Sequence, residues 1–329
     1  MSLITEKPTI AESPSLLAQQ ALAQLRDRLN FVLRGKERVI EHILACLLSR
    51  GHLLLEDLPG LGKTTVARAL AQALGGEFTR VQCTPDLLPT DLTGYSFYNQ
   101  KDKEFEFRPG PLFSDIVLMD EINRATPRTQ SALLEAMAEN QVTVEGIHRP
   151  LSKTFMVIAT QNPIEHEGTF ELPEAQLDRF SMKLSIGYAD RMHERLMLKG
   201  QSNDAKQNPA GDIPVMSLEQ LTALQQEVAS VFVHDCVDEY LLDLAHATRE
   251  HAGVEVGLSP RGMLIWRKLA QAWAYLHRRD YVTPADLQDV ALPLLTIHVF
   301  GNNNRLPETI EQILKTVPVP VYPQKGKIS

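Results

Sequence analysis

The sequence predicts an α/β chain: a parallel sheet with helices on both faces, followed by a small all-helical domain. Three observations carry this expectation. Short apolar runs at His52–Leu55, Phe78–Gln82, Ile116–Met119, Phe155–Ala159 and Met182–Ile186 alternate with helical or loop stretches. Strands that are apolar nearly throughout belong to parallel sheets buried on both faces. The first run leads through Asp57-Leu58-Pro59-Gly60-Leu61-Gly62-Lys63-Thr64 and Thr65 into an Ala/Leu-rich stretch, Val66 to Leu74. That order of strand, glycine-bearing loop, Lys-Thr and helix is a phosphate cradle within an α/β fold. After Gly187 the apolar residues recur only at helical spacing.

The elements follow in order. Residues 1–14 are polar, carry Pro8 and Pro14, and are expected to be a flexible terminus. Helical periodicity from Leu16 to Leu48, broken around Leu33–Lys36, predicts two helices ahead of the phosphate loop. Residues 15–187 form the expected α/β domain, interrupted by two hairpins. Tyr95–Phe107 alternates aromatic and polar residues, and Gln141–Ser152 turns at Glu145-Gly146. Gln201–Pro214 reads as a linker or long loop. Residues 188–305 form the helical domain, with helices over Leu218–Val231, Val237–Glu250, Pro260–Leu276 and Pro284–Leu295. Ser217, Ser259 and Thr283 fall at N-cap positions, and Pro260 and Pro284 at first helical positions. Residues 306–329 are expected to be a C-terminal tail, extended or mobile from Val317 onward.

Composition narrows the function classes. A net charge of −8 offers no electrostatic case for a nucleic-acid partner. No stretch approaches the roughly 18 consecutive apolar residues of a membrane span, and no secretory signal is visible at the start. Cys46, Cys83 and Cys236 lie far apart and read as reduced thiols of a cytoplasmic protein rather than a metal site.

The chemistry lies at strand ends. Gly60 and Gly62, with Pro59, Leu61 and Thr65 around them, let backbone N–H groups approach phosphate oxygens. Lys63 would reach the β- and γ-phosphates of a nucleoside triphosphate, and the Thr64 hydroxyl would ligate Mg²⁺. The general pattern G-x-x-x-x-G-K-[ST] opens on glycine, where this chain has Asp57. A carboxylate near phosphate costs on the order of 1 to 4 kcal/mol, so the Asp57 side chain is expected to turn toward solvent. Asp120 and Glu121 end an apolar strand, at the edge where open α/β sheets bind ligands. Asp120 suits the Mg²⁺ shell and Glu121 the attacking water. Asn162, past the next strand, suits contact with the γ-phosphate or the water, although turns use the same residue type. Arg179 and Arg261 suit charge stabilisation during triphosphate hydrolysis, and equally suit surface ion pairs.

These residues sit in blocks that resemble the MoxR family of AAA+ ATPases. The resemblance runs from about Leu33 to about Phe300, and Arg108–Phe113 and Leu172–Phe180 are its most specific carriers. It implies that Lys63 and Thr64 are Walker A residues and that Asp120 and Glu121 are Walker B residues. It further implies sensor 1 at Asn162, an arginine finger at Arg179 acting on a neighbour's nucleotide, and sensor 2 at Arg261. Tyr95–Phe107 resembles the helix-2 insert and Gln141–Ser152 the pre-sensor-1 hairpin, which in related proteins face a ring's pore or a partner. The family's members typically form hexameric rings. They are thought to act as chaperones that remodel or activate protein clients, often with a protein bearing a von Willebrand factor A domain. Two neighbouring readings use the same residues: an ATP-gated scaffold with negligible hydrolysis, and a magnesium-chelatase-like ATPase subunit.

Overall fold

The computed structural model describes residues 16–163, 168–198, 213–301 and 305–320. The chain opens with helices α1 (Leu16–Val32) and α2 (Glu37–Leu48), then strand β1 (Leu53–Glu56) and helix α3 (Lys63–Ala73). Strand β2 (Phe78–Gln82) and the short helix α4 (Pro89–Thr93) lead into the hairpin β3 (Gly94–Asn99) and β4 (Glu104–Pro109). Strand β5 (Ile116–Asp120), helix α5 (Pro127–Glu139) and the hairpin β6 (Gln141–Val144) and β7 (Ile147–Pro150) follow. Strand β8 (Met156–Gln161), the single turn α6 (Glu174–Leu177) and strand β9 (Met182–Leu184) complete the sheet domain.

The central sheet runs β2-β5-β8-β1-β9, with every neighbouring pair parallel. Strand β1 therefore lies between the strands that come fourth and fifth in the chain order of this sheet. All carboxyl ends share one edge, which is where open α/β sheets bind ligands. The side chains alternate as the pleat requires. Leu53, Leu55, Ile116, Leu118 and Ile158 enter one buried cluster with α1, α2 and α3. Leu54, Val117, Met119, Val157 and Ala159 enter the other, against Leu133, Leu134 and Met137 of α5 and against Phe180.

The second domain contains α7 (Arg191–Leu198), α8 (Leu218–Ala229), α9 (Asp235–Glu250), β10 (Val254–Val256), α10 (Pro260–Leu276), α11 (Pro284–His298), β11 (Phe300–Gly301) and α12 (Leu306–Thr316). Its helices start where the capping residues dictate. Ser217 and Ser259 accept hydrogen bonds from the amides of Gln220 and Gly262. Thr283 donates from its amide (2.7 Å) and its hydroxyl (2.8 Å) to Asp286 Oδ2, which fixes the start of α11. The core of this domain, centred on the fully buried Trp266, is continuous with the α1–α3 face of the sheet.

Several expectations change. Residues 306–316, read as the start of a tail, form α12, because Leu306, Ile310 and Ile313 face inward at helical spacing. The antiparallel pair β10–β11 has no counterpart in the sequence reading, being too short to carry a period. Strand β8 extends through Thr160 and Gln161, and β9 stops at Leu184. Both hairpins form, and the second turns at Glu145 and Gly146, each with positive φ. Most of the 201–214 linker, the 1–14 terminus and the segment beyond residue 320 lie outside the described residues.

Candidate functional site

Four strand ends build the site. Past β1 the chain turns through Gly60 (φ +87°) and Gly62 (φ +92°), left-handed conformations that disfavour a side chain. Gly62 caps α3, so Lys63 and Thr64 occupy its first turn, where free N–H groups and the helix dipole favour an anion. A Cβ at Gly60 would meet nothing within 4 Å, so the cradle is open on that side. The Lys63 ammonium donates to the Asp57 carbonyl at 2.7 Å. Burial pulls its pKa below the usual lysine value, against the opposing charges of Asp57, Asp120 and Glu121.

Asp120 and Glu121 meet this loop at the end of β5. Thr160, fully buried in β8, donates from Oγ1 to Asp120 Oδ1 at 2.6 Å and accepts from the Glu121 amide at 2.9 Å. One hydroxyl thus aligns both acids. The other Asp120 oxygen accepts from Arg80 Nη2 at 2.6 Å and Nε at 3.2 Å. Glu121 Oε2 accepts from Gln82 Nε2 at 3.0 Å and Arg124 Nη1 at 3.2 Å. Glu121 also holds a left-handed backbone (φ +58°, ψ +53°), a strained conformation of the kind that collects at functional sites.

Sequence reasoning missed Thr160, Arg80, Gln82 and Arg124 as site residues. A signal for two of them was present: Arg80 and Gln82 put polar side chains on one face of a strand expected to be buried on both.

Asp57 departs from expectation. Its side chain is 5% exposed and turns inward, accepting from Ser185 Oγ (2.7 Å) and the amides of Ile186 (2.6 Å) and Gly187 (3.2 Å). Three donors replace the solvation that burial removes, which is why the carboxylate does not seek water. Asn162 follows the end of β8, whose Gln161 stands in register with Glu56 of β1. That places it on the carboxyl edge beside the phosphate loop.

The acids pair with Arg80 and Arg124 rather than with the two arginines expected from the sequence. Arg179 follows α6 and donates from Nη1 to the Ala175 carbonyl, within its own turn. Arg261 lies exposed in the first turn of α10. Between them Asp178 accepts from Ser259 Oγ at 3.1 Å and from His298 Nδ1 at 2.7 Å, joining the sheet domain to the helical one. Burial pushes the Asp178 pKa up, but the bonds from His298 and Ser259 outweigh it and hold the group below its usual value.

Comparison with known proteins agrees with this geometry. Residues 52–182 match the ATPase family associated with various cellular activities (AAA), and residues 246–317 match the AAA lid domain. The chaperone MoxR1 of Mycobacterium tuberculosis is 38% identical over 90% of this chain and 82% of its own length. The protein MoxR of Paracoccus denitrificans is 33% identical over 91% of this chain and 97% of its own. A solved structure from Cytophaga hutchinsonii superposes with a TM-score of 0.84 at 36% identity, covering 93% of this chain and 97% of that one. With a parallel nucleotide-type sheet, a helical lid and relatives of this kind, the chain belongs to the MoxR family of AAA+ ATPases.

Proposed function

We propose that the chain hydrolyses ATP as a subunit of a ring, hexameric as is typical of the family, and uses the cycle to remodel or activate a protein partner. The observation that carries this is the Thr160 hydroxyl aligning Asp120 and Glu121 at the sheet edge that also holds Lys63. Lys63 and the N–H groups around Gly60–Thr65 hold the phosphates. Thr64 and Asp120 present the hard oxygen donors that Mg²⁺ takes, alongside water and phosphate oxygens. Mg²⁺, when bound, neutralises charge on the phosphates. Glu121 orients and deprotonates the attacking water, and Asn162 positions it. Gln82 and Arg124 hold Glu121 Oε2 and so fix the orientation of the carboxylate. Arg261 acts on the chain's own nucleotide, and Arg179 acts on that of the next subunit.

The hairpins supply a surface for a client. Tyr98 (51% exposed) and Phe105 (74%) stand out from β3–β4, and Ile147 (53%) stands out from β6–β7. Arg149 of β7 stacks over Phe107 of β4 at 3.7 Å, which ties the two hairpins together. Tyr98 and Phe105 pack edge to face with centroids 5.4 Å apart, an exposed aromatic pair that suits a protein contact. A separate protein with a von Willebrand factor A domain is the partner we infer from the family. Among the described residues no helix is long and apolar enough to cross a membrane, and we infer a cytoplasmic setting.

The test is ATP turnover of the wild type beside Glu121→Gln. The variant is expected to bind ATP and to lose at least about 10²-fold in turnover. Equal turnover by both proteins would refute the hydrolytic assignment.

A further inference from the structure

Asp57 occupies a position where the general phosphate-loop pattern has glycine, and nothing about the backbone there demands glycine, since its φ is not positive. Its two ends face different parts of the molecule. The main-chain carbonyl accepts from Lys63 Nζ at 2.7 Å. The carboxylate accepts from Ser185 Oγ and from the amides of Ile186 and Gly187, at the point where the chain leaves β9 for the helical domain. Its own amide donates to the Gln161 carbonyl at 3.2 Å, next to Asn162. One residue therefore ties together the phosphate-loop lysine, the end of β8 and the exit from β9.

We propose that Asp57 is a positioning residue that yokes the phosphate loop to the β9 exit, so that ordering of the loop by phosphate groups is transmitted to Ser185–Gly187 and onward into the helical domain. This rests on the reading of Gly60–Thr65 as the phosphate site. A charge-assisted bond to a backbone amide is among the stronger single contacts available, and here two such amides are adjacent in sequence. Gly187 has a left-handed backbone (φ +65°), so the turn the carboxylate grips is itself narrowly defined. The segment just beyond is also tied down. Asp190 accepts from the His193 amide at 2.9 Å, and the His193 ring lies against Gly35 of the α1–α2 turn. Movement at Ser185–Gly187 thus has packed structure on either side to act on.

The experiment is amide hydrogen exchange at Ile186 and Gly187, with and without a non-hydrolysable ATP analogue, in wild type, Asp57→Gly, Asp57→Asn and Ser185→Ala. Calorimetry on the same samples reports analogue binding. In the wild type the analogue is expected to slow exchange at both amides. In Asp57→Gly both amides exchange about tenfold faster or more without nucleotide. The analogue still binds this variant but no longer alters their exchange. Asp57→Asn, which keeps one acceptor oxygen, restores part of the response, and Ser185→Ala retains most of it because the amide bonds remain. A merely structural Asp57 would lower stability without uncoupling the two amides from nucleotide. Analogue-dependent slowing in Asp57→Gly equal to that of the wild type would overturn the proposal. If Asp57→Gly does not fold, an Asp57→Asn response equal to that of the wild type overturns it instead. Failure of the wild type to bind the analogue would overturn the phosphate-site reading itself.

Discussion

The acids and the arginines of the candidate site are held in opposite ways. Asp120 and Glu121 are anchored from several sides by residues of the same chain: Thr160, Arg80, Gln82 and Arg124. Arg179 donates to the carbonyl of Ala175 in its own turn, and Arg261 is exposed at a helix start. The acid half is assembled by folding alone. In the function proposed above, the cationic half meets its nucleotide or its neighbour only on binding. Under the proposed roles, such a division would make hydrolysis conditional on assembly, because the charge that builds in the transition state would meet its guanidinium only in a complex.

The comparison breaks most visibly at Arg179. Arg179→Ala is expected to lower turnover by about 10³-fold while leaving ATP affinity nearly unchanged, since in its proposed role the residue serves the neighbour's nucleotide. Nucleotide titration beside steady-state turnover checks this. A large loss of affinity would mean that Arg179 serves its own site.

Stability offers a different lever, at the amino end of β1. His52 is buried, accepts from the Val157 amide at Nδ1 (3.0 Å), and its Nε2 lies 3.2 Å from the Met137 carbonyl. Burial lowers its pKa from 6.5 to about 4. Between those values the unfolded chain binds a proton that the folded chain refuses. The contribution is therefore complete above pH 6.5 and is lost as pH falls toward 4, by about 3 kcal/mol. Denaturant midpoints across this range should fall more steeply in the wild type than in His52→Gln. Equal slopes would contradict the assignment.

On the acid side, Thr160→Val removes the shared hydroxyl at nearly constant shape. The expected cost is about tenfold or more in turnover and about 1–3 kcal/mol in stability, because the Glu121 amide loses its partner. Unchanged turnover would show that the acids align without it. The smallest effect belongs to the hairpin: Phe105→Ser should change stability by less than about 0.5 kcal/mol and leave basal turnover intact, while weakening any response to a client.

Much of this was legible in the sequence because its signals are local. A strand, two glycines and Lys-Thr announce a cradle within a few residues, and Ser259-Pro260 announces a helix start without reference to anything distant. Asp57 was misread because its partners lie about 130 residues away, and a buried carboxylate looks in sequence like a solvated one. Thr160, just past the apolar run Phe155–Ala159, carries no local signal; its role exists only once β8 lies beside β5. Helix α12 carries a clear helical period in Leu306, Ile310 and Ile313, but the Pro-rich segment directly after it invites reading the whole stretch as a tail.

A site divided between subunits, as proposed, predicts that two inactive variants restore activity when mixed. Glu121→Gln keeps Arg179 but lacks the base; Arg179→Ala keeps the base but lacks the guanidinium. Each alone should be nearly silent. Mixed and allowed to exchange subunits, they should recover a sizeable fraction of wild-type ATP turnover, because some interfaces then pair an intact Glu121 with a neighbour's Arg179. A mixture no more active than the sum of its parts, with subunit exchange verified, would contradict a shared site.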